Sequence, residues 1–298
     1  MTRSHSILLL DLGNTRLKWQ VITDHQIQAS GHVAACSLDE LGRQSSAIDD
    51  LGHCLANLGA SVHVLGGSVG APEVKAWFAQ WLDQRHHHQV EWVVSRAHLA
   101  VELPQATVRL EQPYAQPERL GVDRWLAALG WLSLTAQQGA APSLELESTR
   151  TSRLAMVSAG TATVVDGLVV NRRGADIRAQ MMGGLIYPGF GLMRSGLADQ
   201  TADLAAYVAA APASSPGIGP AGDSVAAIHA GIAAAQVGPL CWLGPVDHVI
   251  VHGGYATDWL AAHVAWSAIP QSVASFQTQA TEVQGLVFKG LAMLAEFA

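Results

Sequence analysis

The sequence predicts an α/β protein built in two related parts. Two strand–turn–strand stretches resemble each other, one over residues 7–22 and one over residues 154–166. Segments with strand and helix patterns alternate after each of them. Between the halves, residues 104–117 show no hydrophobic period and contain Pro113, Tyr114 and Pro117, which is where a boundary belongs. The predicted domains are therefore 1–113 and 114–298.

A chain of 298 residues is long enough to bury two cores. With 49% hydrophobic and 14% charged residues it reads as globular rather than disordered. Lys+Arg 17 against Asp+Glu 24 leaves a net charge of -7, which argues against nucleic acid or an anionic membrane as partner. Cys36, Cys54 and Cys241 show no metal-type spacing and read as reduced thiols. Residues 1–6 run straight into a strand pattern without the apolar region of a signal peptide. No run approaches the roughly 18 consecutive apolar residues of a membrane helix. The expected location is the cytoplasm.

The chain is organised around its first hairpin. Ile7, Leu8, Leu9 and Leu10 lead to Asp11, then Leu12, Gly13, Asn14 and Thr15, and a second run begins at Leu17. Gly13 and Asn14 are the residue types that best tolerate positive φ in a tight turn. Backbone N–H groups left without ladder partners in such a turn suit a phosphate, and the Thr15 hydroxyl adds a donor. Asp11 would face a phosphate only across a hard cation such as Mg²⁺. An ordinary Asx-type hairpin is the other reading. Because no helix begins after the turn, the motif is neither a Walker loop nor a dinucleotide-binding fingerprint.

Residues 26–33 supply a third strand, and Leu41, Ile48, Leu51, Leu55 and Leu58 give 38–58 a helical spacing. A short strand over 62–65 stops at Gly66. Pro72 starts a helix with Val74, Trp77, Phe78 and Trp81 on one face. It ends at Arg85 and the triplet His86, His87 and His88, which reads as solvated surface because adjacent residues do not share a helical face. A strand follows over 90–94. An amphipathic helix over 121–137 carries Val122, Trp125, Leu126, Leu129 and Leu132 on its stripe, with Trp131 off it. Residues 138–152 read as a polar loop or insertion.

A strand over 154–157 then leads through Ser158, Ala159, Gly160, Thr161, Ala162 and Thr163 to a second strand ending at Asp166. Its likeness to the first hairpin suggests two phosphate cups across a cleft, with chance similarity as the alternative. The glycine-rich stretch 180–191 precedes a helix from about Gly189 past Leu197. A short helix over 204–211 gives way to a Pro/Gly/Ser linker over 212–222, and Asp223 caps a helix over 224–237. A strand over 246–251 ends at His252, Gly253 and Gly254, where missing side chains suit either a flat adenine or a tight strand–helix connection. A helix over 283–297 closes the chain.

Six ordered motifs give this sequence a family resemblance. They are Asp11-Leu12-Gly13-Asn14-Thr15; Tyr114-Ala115-Gln116-Pro117 with Leu120-Gly121-Val122-Asp123-Arg124; and Ala159-Gly160-Thr161-Ala162-Thr163 with Asp166. Gly183-Gly184-Leu185-Ile186-Tyr187-Pro188-Gly189, Thr201-Ala202-Asp203-Leu204 and Val251-His252-Gly253-Gly254 complete the set. Over nearly its whole length the chain resembles the type III pantothenate kinases. The resemblance implies two ribonuclease H-like domains of the acetate and sugar kinase/actin superfamily flanking a nucleotide cleft. It implies a homodimer that phosphorylates the primary hydroxyl of pantothenate with ATP and Mg²⁺, giving 4'-phosphopantothenate in the first step of coenzyme A synthesis.

By the same resemblance, Asp11, Leu12, Gly13, Asn14, Thr15, Arg16, Leu17 and Lys18 form the first phosphate loop, with Asp11 orienting the metal, directly or through water. Thr161 belongs to the second loop, and Gly253 and Gly254 lie on the adenosine side. Tyr114, Gly121, Val122, Asp123, Arg124 and Thr201 match the pantothenate pocket, with Asp123 as proton acceptor. A carboxylate at a helix start is favoured by the helix dipole, and Arg124 beside it would hold an anionic oxygen. Ser158 stands where many of the family carry Asp. Its neutral hydroxyl is a weaker ligand, so the resemblance supports a monovalent cation (K⁺ or NH₄⁺) less well than it supports Mg²⁺.

Two rivals stand beside the kinase. A non-catalytic regulatory accessory protein on the same fold would not need a base beside a phosphate cup. A phosphatase or chaperone-type ATPase would not need an acceptor pocket around Tyr114. The dimer is expected both from the family and from helix 121–137, whose Trp125, Leu126, Leu129, Trp131 and Leu132 give more apolar surface than one internal face needs, with Trp131, off the main stripe, as the candidate for the partner-facing side.

Overall fold

A computed structural model describes residues 6–34, 46–58, 62–137, 151–201, 204–209, 219–269 and 278–297. It forms two compact units: unit 1 comprises Met1–Arg109, Tyr114–Gly139 and Gly285–Ala298, and unit 2 comprises Leu110–Pro113 and Ala140–Gln284.

Unit 1 is built on a sheet of order β3-β2-β1-β4-β5. Strands β1 (Ser6–Leu12), β2 (Arg16–Thr23) and β3 (Gln26–Ala34) form an antiparallel meander. Strands β4 (Val62–Ser68) and β5 (Val90–Trp92) continue the sheet parallel to β1. Leu8, Leu9, Leu10 and Leu12 are all fully buried, as a strand covered on both faces requires. Leu8, Leu10 and Leu12 pack with α1 (Ser46–Leu58) and α2 (Pro72–His86) through Leu51, Leu55, Val74, Phe78 and Leu82. Alternation turns Leu9 and Asp11 to the other face, where α3 (Val122–Gln137) and α8 (Leu286–Phe297) lie against the sheet. Residues 38–45 of the expected first helix lie outside the described residues.

Unit 2 repeats the plan. Strands β8 (Thr151–Ala159), β9 (Ala162–Arg173) and β10 (Asp176–Pro188) form an antiparallel meander. Strands β11 (His248–His252) and β12 (Ala280–Glu282) follow parallel to β8, so the order β10-β9-β8-β11-β12 matches that of unit 1 strand for strand. Its core joins Val157, Val165, Val249 and Val251 of the sheet to α6 (Ser224–Val237) and α7 (Ala256–Ser267). Helices α4 (Phe190–Gln200) and α5 (Ala205–Ala209) complete the unit. Asp223 caps α6, accepting from Ala226 N at 2.9 Å.

The structure revises several expectations. Residues 98–111 form a hairpin, β6 (His98–Leu103) and β7 (Ala106–Glu111). Pro104 therefore lies in its turn rather than at a boundary. Helix α3 groups with the N-terminal segment, not with the C-terminal half, because it packs on β4 and on the last helix. Thr151 and Ser152, read as loop, open β8, while 138–150 lie outside the described residues. Strand β9 runs past Asp166 to Arg173, and the glycine-rich stretch belongs to β10, whose period a bulge between Met181 and Gly183 interrupts. Among the described residues one helical run, Ser224–Leu243, is long and apolar enough to cross a membrane. It buries His229, Gln236 and four apolar side chains of α6 within unit 2.

Candidate functional site

In unit 1 the site begins at the β1–β2 connection. Gly13 N donates to Arg16 O at 2.9 Å, closing a three-residue link of Gly13, Asn14 and Thr15. Neither Gly13 nor Asn14 takes positive φ; that conformation falls instead on Asp24 and His25 (φ 49° and 63°) in the two-residue β2–β3 turn. A three-residue link spans the gap without the left-handed pair that a two-residue hairpin demands. Asn14, Thr15 and Arg16 are exposed, whereas Leu12 and Leu17 are fully buried core residues. The Leu12 carbonyl already accepts from Val69 N (3.0 Å) and Gly70 N (3.1 Å). The Leu12 and Leu17 side chains therefore belong to the core and do not face a ligand.

Asp11 and Lys18 face each other across the ladder, with Nζ 3.6 Å from Oδ2. Burial pushes the Asp11 carboxyl above its ordinary range; Lys18 opposes that shift and the charge of Asp123 adds to it. The first turn of α3 thus brings a second carboxylate within electrostatic reach of the first. One oxygen of Asp123 accepts from Arg124 N at 2.9 Å, which fixes the carboxylate at the helix start. The Arg124 side chain is buried and donates to the Tyr114 hydroxyl at 3.1 Å, lying 5.8 Å from the centre of that ring. Gly121 accepts from Arg124 N (3.1 Å) and Trp125 N (3.3 Å), and Val122 is a buried anchor of the same turn.

Two carboxylates and two cationic side chains gather here. Among the described residues no group of three or more His, Cys, Asp or Glu could hold a metal by itself. A largely buried carboxylate such as Asp11 suits a Mg²⁺ that keeps waters and phosphate oxygens as its other ligands. The residues present fit such an ion, with Asp11 as its protein anchor.

In unit 2 the corresponding connection is the turn at Gly160 and Thr161, closed by Gly160 N donating to Ala162 O at 3.1 Å. Thr161 is exposed, and its carbonyl accepts from Gly189 N at 2.9 Å. A Cβ on Gly189 would lie 2.6 Å from that same carbonyl oxygen, so only glycine allows the approach. Gly253 has φ 110°, and a Cβ there would stand 2.8 Å from Ala159 C. Gly254 beside it faces open space. Thr161 and Gly253 are thereby brought to one end of the unit 2 sheet. The Thr201 hydroxyl donates to Leu197 O and closes the end of α4. Ser158, next to last in β8, is half-buried beside His252 of β11 and Val164 of β9.

Sequence reading missed Gln236, a fully buried residue whose side-chain amide and main-chain carbonyl bond to β9, β10 and α7 around this turn. Nothing in the helical pattern of α6 separates it from a surface polar residue. Trp131, expected to face a partner, is 1% exposed and packed inside unit 1. Helix α3 is covered on nearly every side because the sheet and α8 both lie against it.

Residues 7–240 match the profile of a family described as type III pantothenate kinase. The type III pantothenate kinase of Bordetella petrii is 31% identical over 306 residues, covering 97% of both chains. That of Paracidovorax citrulli is 28% identical, over 97% of this chain and 98% of its own. Among solved structures, a Sinorhizobium meliloti protein assigned by name to the 2-dehydro-3-deoxygalactonokinases superposes with a TM-score of 0.51 at 14% identity, over 97% of this chain and 95% of that one. That likeness shows a shared fold.

Proposed function

The chain belongs to the type III pantothenate kinase family, and on that premise we propose how its residues move a phosphoryl group from ATP to the primary hydroxyl of pantothenate. The enzyme is a pantothenate kinase, a phosphotransferase of the first step of coenzyme A biosynthesis. ATP and pantothenate are its substrates, and it uses ATP with a divalent metal. The observation that carries the mechanism is the Asp11–Lys18 pair at the end of β1, with the Asp123 carboxylate at the start of α3 within electrostatic reach of Asp11 and Arg124 next to it.

Phosphoryl transfer leaves the protein little covalent chemistry to do, so its residues act by position and charge. Asp11 anchors the metal, and Lys18 offsets the charge of the phosphates. When bound, Mg²⁺ supplies charge neutralisation across the phosphate oxygens. The backbone of Gly13 to Lys18 and the turn at Gly160 and Thr161 hold phosphate. Gly254 leaves room for the flat adenine beside Gly253, where the Ala159 backbone takes up the space a Cβ would need. Tyr114 holds the Arg124 guanidinium in place, and Arg124 holds an anionic oxygen of the acceptor. Gly121 and Val122 shape the pocket floor, and Thr201 completes it. Asp123, held at the helix start by Arg124 N, accepts the proton of the pantothenate hydroxyl as the new bond to phosphorus forms.

A monovalent cation is a weaker part of the proposal, because Ser158 offers a neutral oxygen. The homodimer and the cytoplasmic location rest on the family, and the dimer does not rest on Trp131. The non-catalytic alternative is not favoured, since a regulator has no use for paired carboxylates at a phosphate loop. Coupled measurement of ADP release with and without pantothenate, before and after chelation of Mg²⁺, tests the reading. Pantothenate-dependent release that stops on chelation is expected; release indifferent to pantothenate would overturn it.

A further inference from the structure

The geometry points to Gln236 as a positioning residue that sets the shape of the Gly160–Thr161 turn through Thr163, and so tunes how tightly the enzyme holds ATP. The inference rests on reading that turn as a phosphate loop. Gln236 sits on the last turn of α6 and is 0% exposed, as is Thr163. Thr163 Oγ1 donates to Gln236 Oε1 at 2.5 Å, and Gln236 Nε2 donates to Pro188 O at 2.8 Å. The same nitrogen lies 3.2 Å from Met193 Sδ.

Those contacts fix the amide. The Pro188 carbonyl can only accept, so the nitrogen must point there and the oxygen must receive the Thr163 hydroxyl. The Gln236 main-chain carbonyl is tied as well, accepting from Tyr187 Oη at 2.6 Å and Trp259 Nε1 at 3.0 Å. One residue therefore joins the start of β9, the end of β10, α6 and α7. A buried polar group with every contact made is rigid, because losing one partner strands the other in a medium without water.

The ring closes on the turn itself. Pro188 leads into Gly189, whose N–H binds the Thr161 carbonyl, and Thr163 lies two residues beyond Thr161 on the other side. Thr163 pairs with Tyr187 and Ala162 with Pro188 in the ladder, so the turn is held from both ends. An amide that lets go of Thr163 frees one end of the turn, and backbone donors displaced by a fraction of an ångström bind phosphate less well.

Steady-state kinetics of Thr163→Val, Thr163→Ser, Gln236→Glu and Thr161→Val, each checked for wild-type circular dichroism and a cooperative melt, test this. Thr163→Val and Gln236→Glu are expected to raise KM for ATP about ten- to a hundredfold while leaving KM for pantothenate unchanged, with Thr163→Ser restoring the ATP value. A merely structural role would lower stability without dividing the two KM values. If Gln236→Glu does not fold, Thr163→Val still decides. Altered ATP kinetics in Thr161→Val beside unchanged kinetics in Thr163→Val overturns the inference alone. Unchanged kinetics in both Thr161→Val and Thr163→Val overturns the phosphate-loop reading and the inference with it.

Discussion

Gly130 of α3 and Gly290 of α8 meet backbone to backbone. A Cβ on Gly130 would lie 2.9 Å from Gly290 N and would overlap the Leu286 carbonyl, and one on Gly290 would lie 2.9 Å from Leu126 C. This contact clamps the last helix onto the helix that begins with Asp123, and it explains why a C-terminal segment belongs to unit 1. Gly130→Ala should cost about 1–3 kcal/mol or more by forcing the helices apart. Denaturant unfolding measures it, and the cost of adding Gly290→Ala should be less than additive, since the two share one contact. Wild-type stability in Gly130→Ala would deny the clamp.

Asp11→Asn is expected to cripple turnover while raising the melting temperature. Burial raises the folded-state proton affinity of Asp11, so above that folded pKa its charge costs stability, and the cost is relieved as pH falls through it. Asparagine removes the cost at neutral pH, and Lys18, 46% exposed, stays solvated without its partner. Loss of a metal-orienting carboxylate should lower kcat by about 10²-fold or more. Near wild-type kcat would place Asp11 outside the site.

Asp123→Asn should lower kcat by about 10²- to 10⁴-fold while ATP binding survives. The asparagine oxygen can still accept from Arg124 N, so the helix start is preserved and the loss reports on chemistry. A true base gives a rate that falls as Asp123 protonates, whereas a group that only orients the hydroxyl gives a flatter profile. An unchanged kcat would leave Asp123 as a helix-start charge.

Replacing K⁺ or NH₄⁺ in the assay by a bulky organic cation at constant ionic strength should change turnover little, because Ser158 supplies no charge. Ser158→Asp should introduce a dependence on K⁺. Strong K⁺ activation of the unaltered enzyme would show that other groups complete the cation site.

Much was legible in the sequence because it was local. The apolar run before Asp11, the period of α3 and the cap at Asp223 are written in neighbouring residues. The likeness of the two hairpins returns in the structure as two antiparallel meanders, β1–β3 and β8–β10, each continued by two parallel strands. Two things were not legible. One was close approach: that Gly130 serves Gly290 depends on a residue 160 positions away along the chain. The other was the inside of a polar network: Gln236 looks like any helical glutamine until Thr163, Pro188, Tyr187 and Trp259 close around it. Trp131 failed for the same reason, since a helix's own period marks one apolar face and cannot say how many neighbours will cover the others. By itself the sequence determined which segments become strands and helices around Asp11 and Asp123, through hydrophobic period and turn chemistry. Only the tertiary structure decided which of them share a unit, because that depends on which backbones can touch and which buried polar groups can find partners.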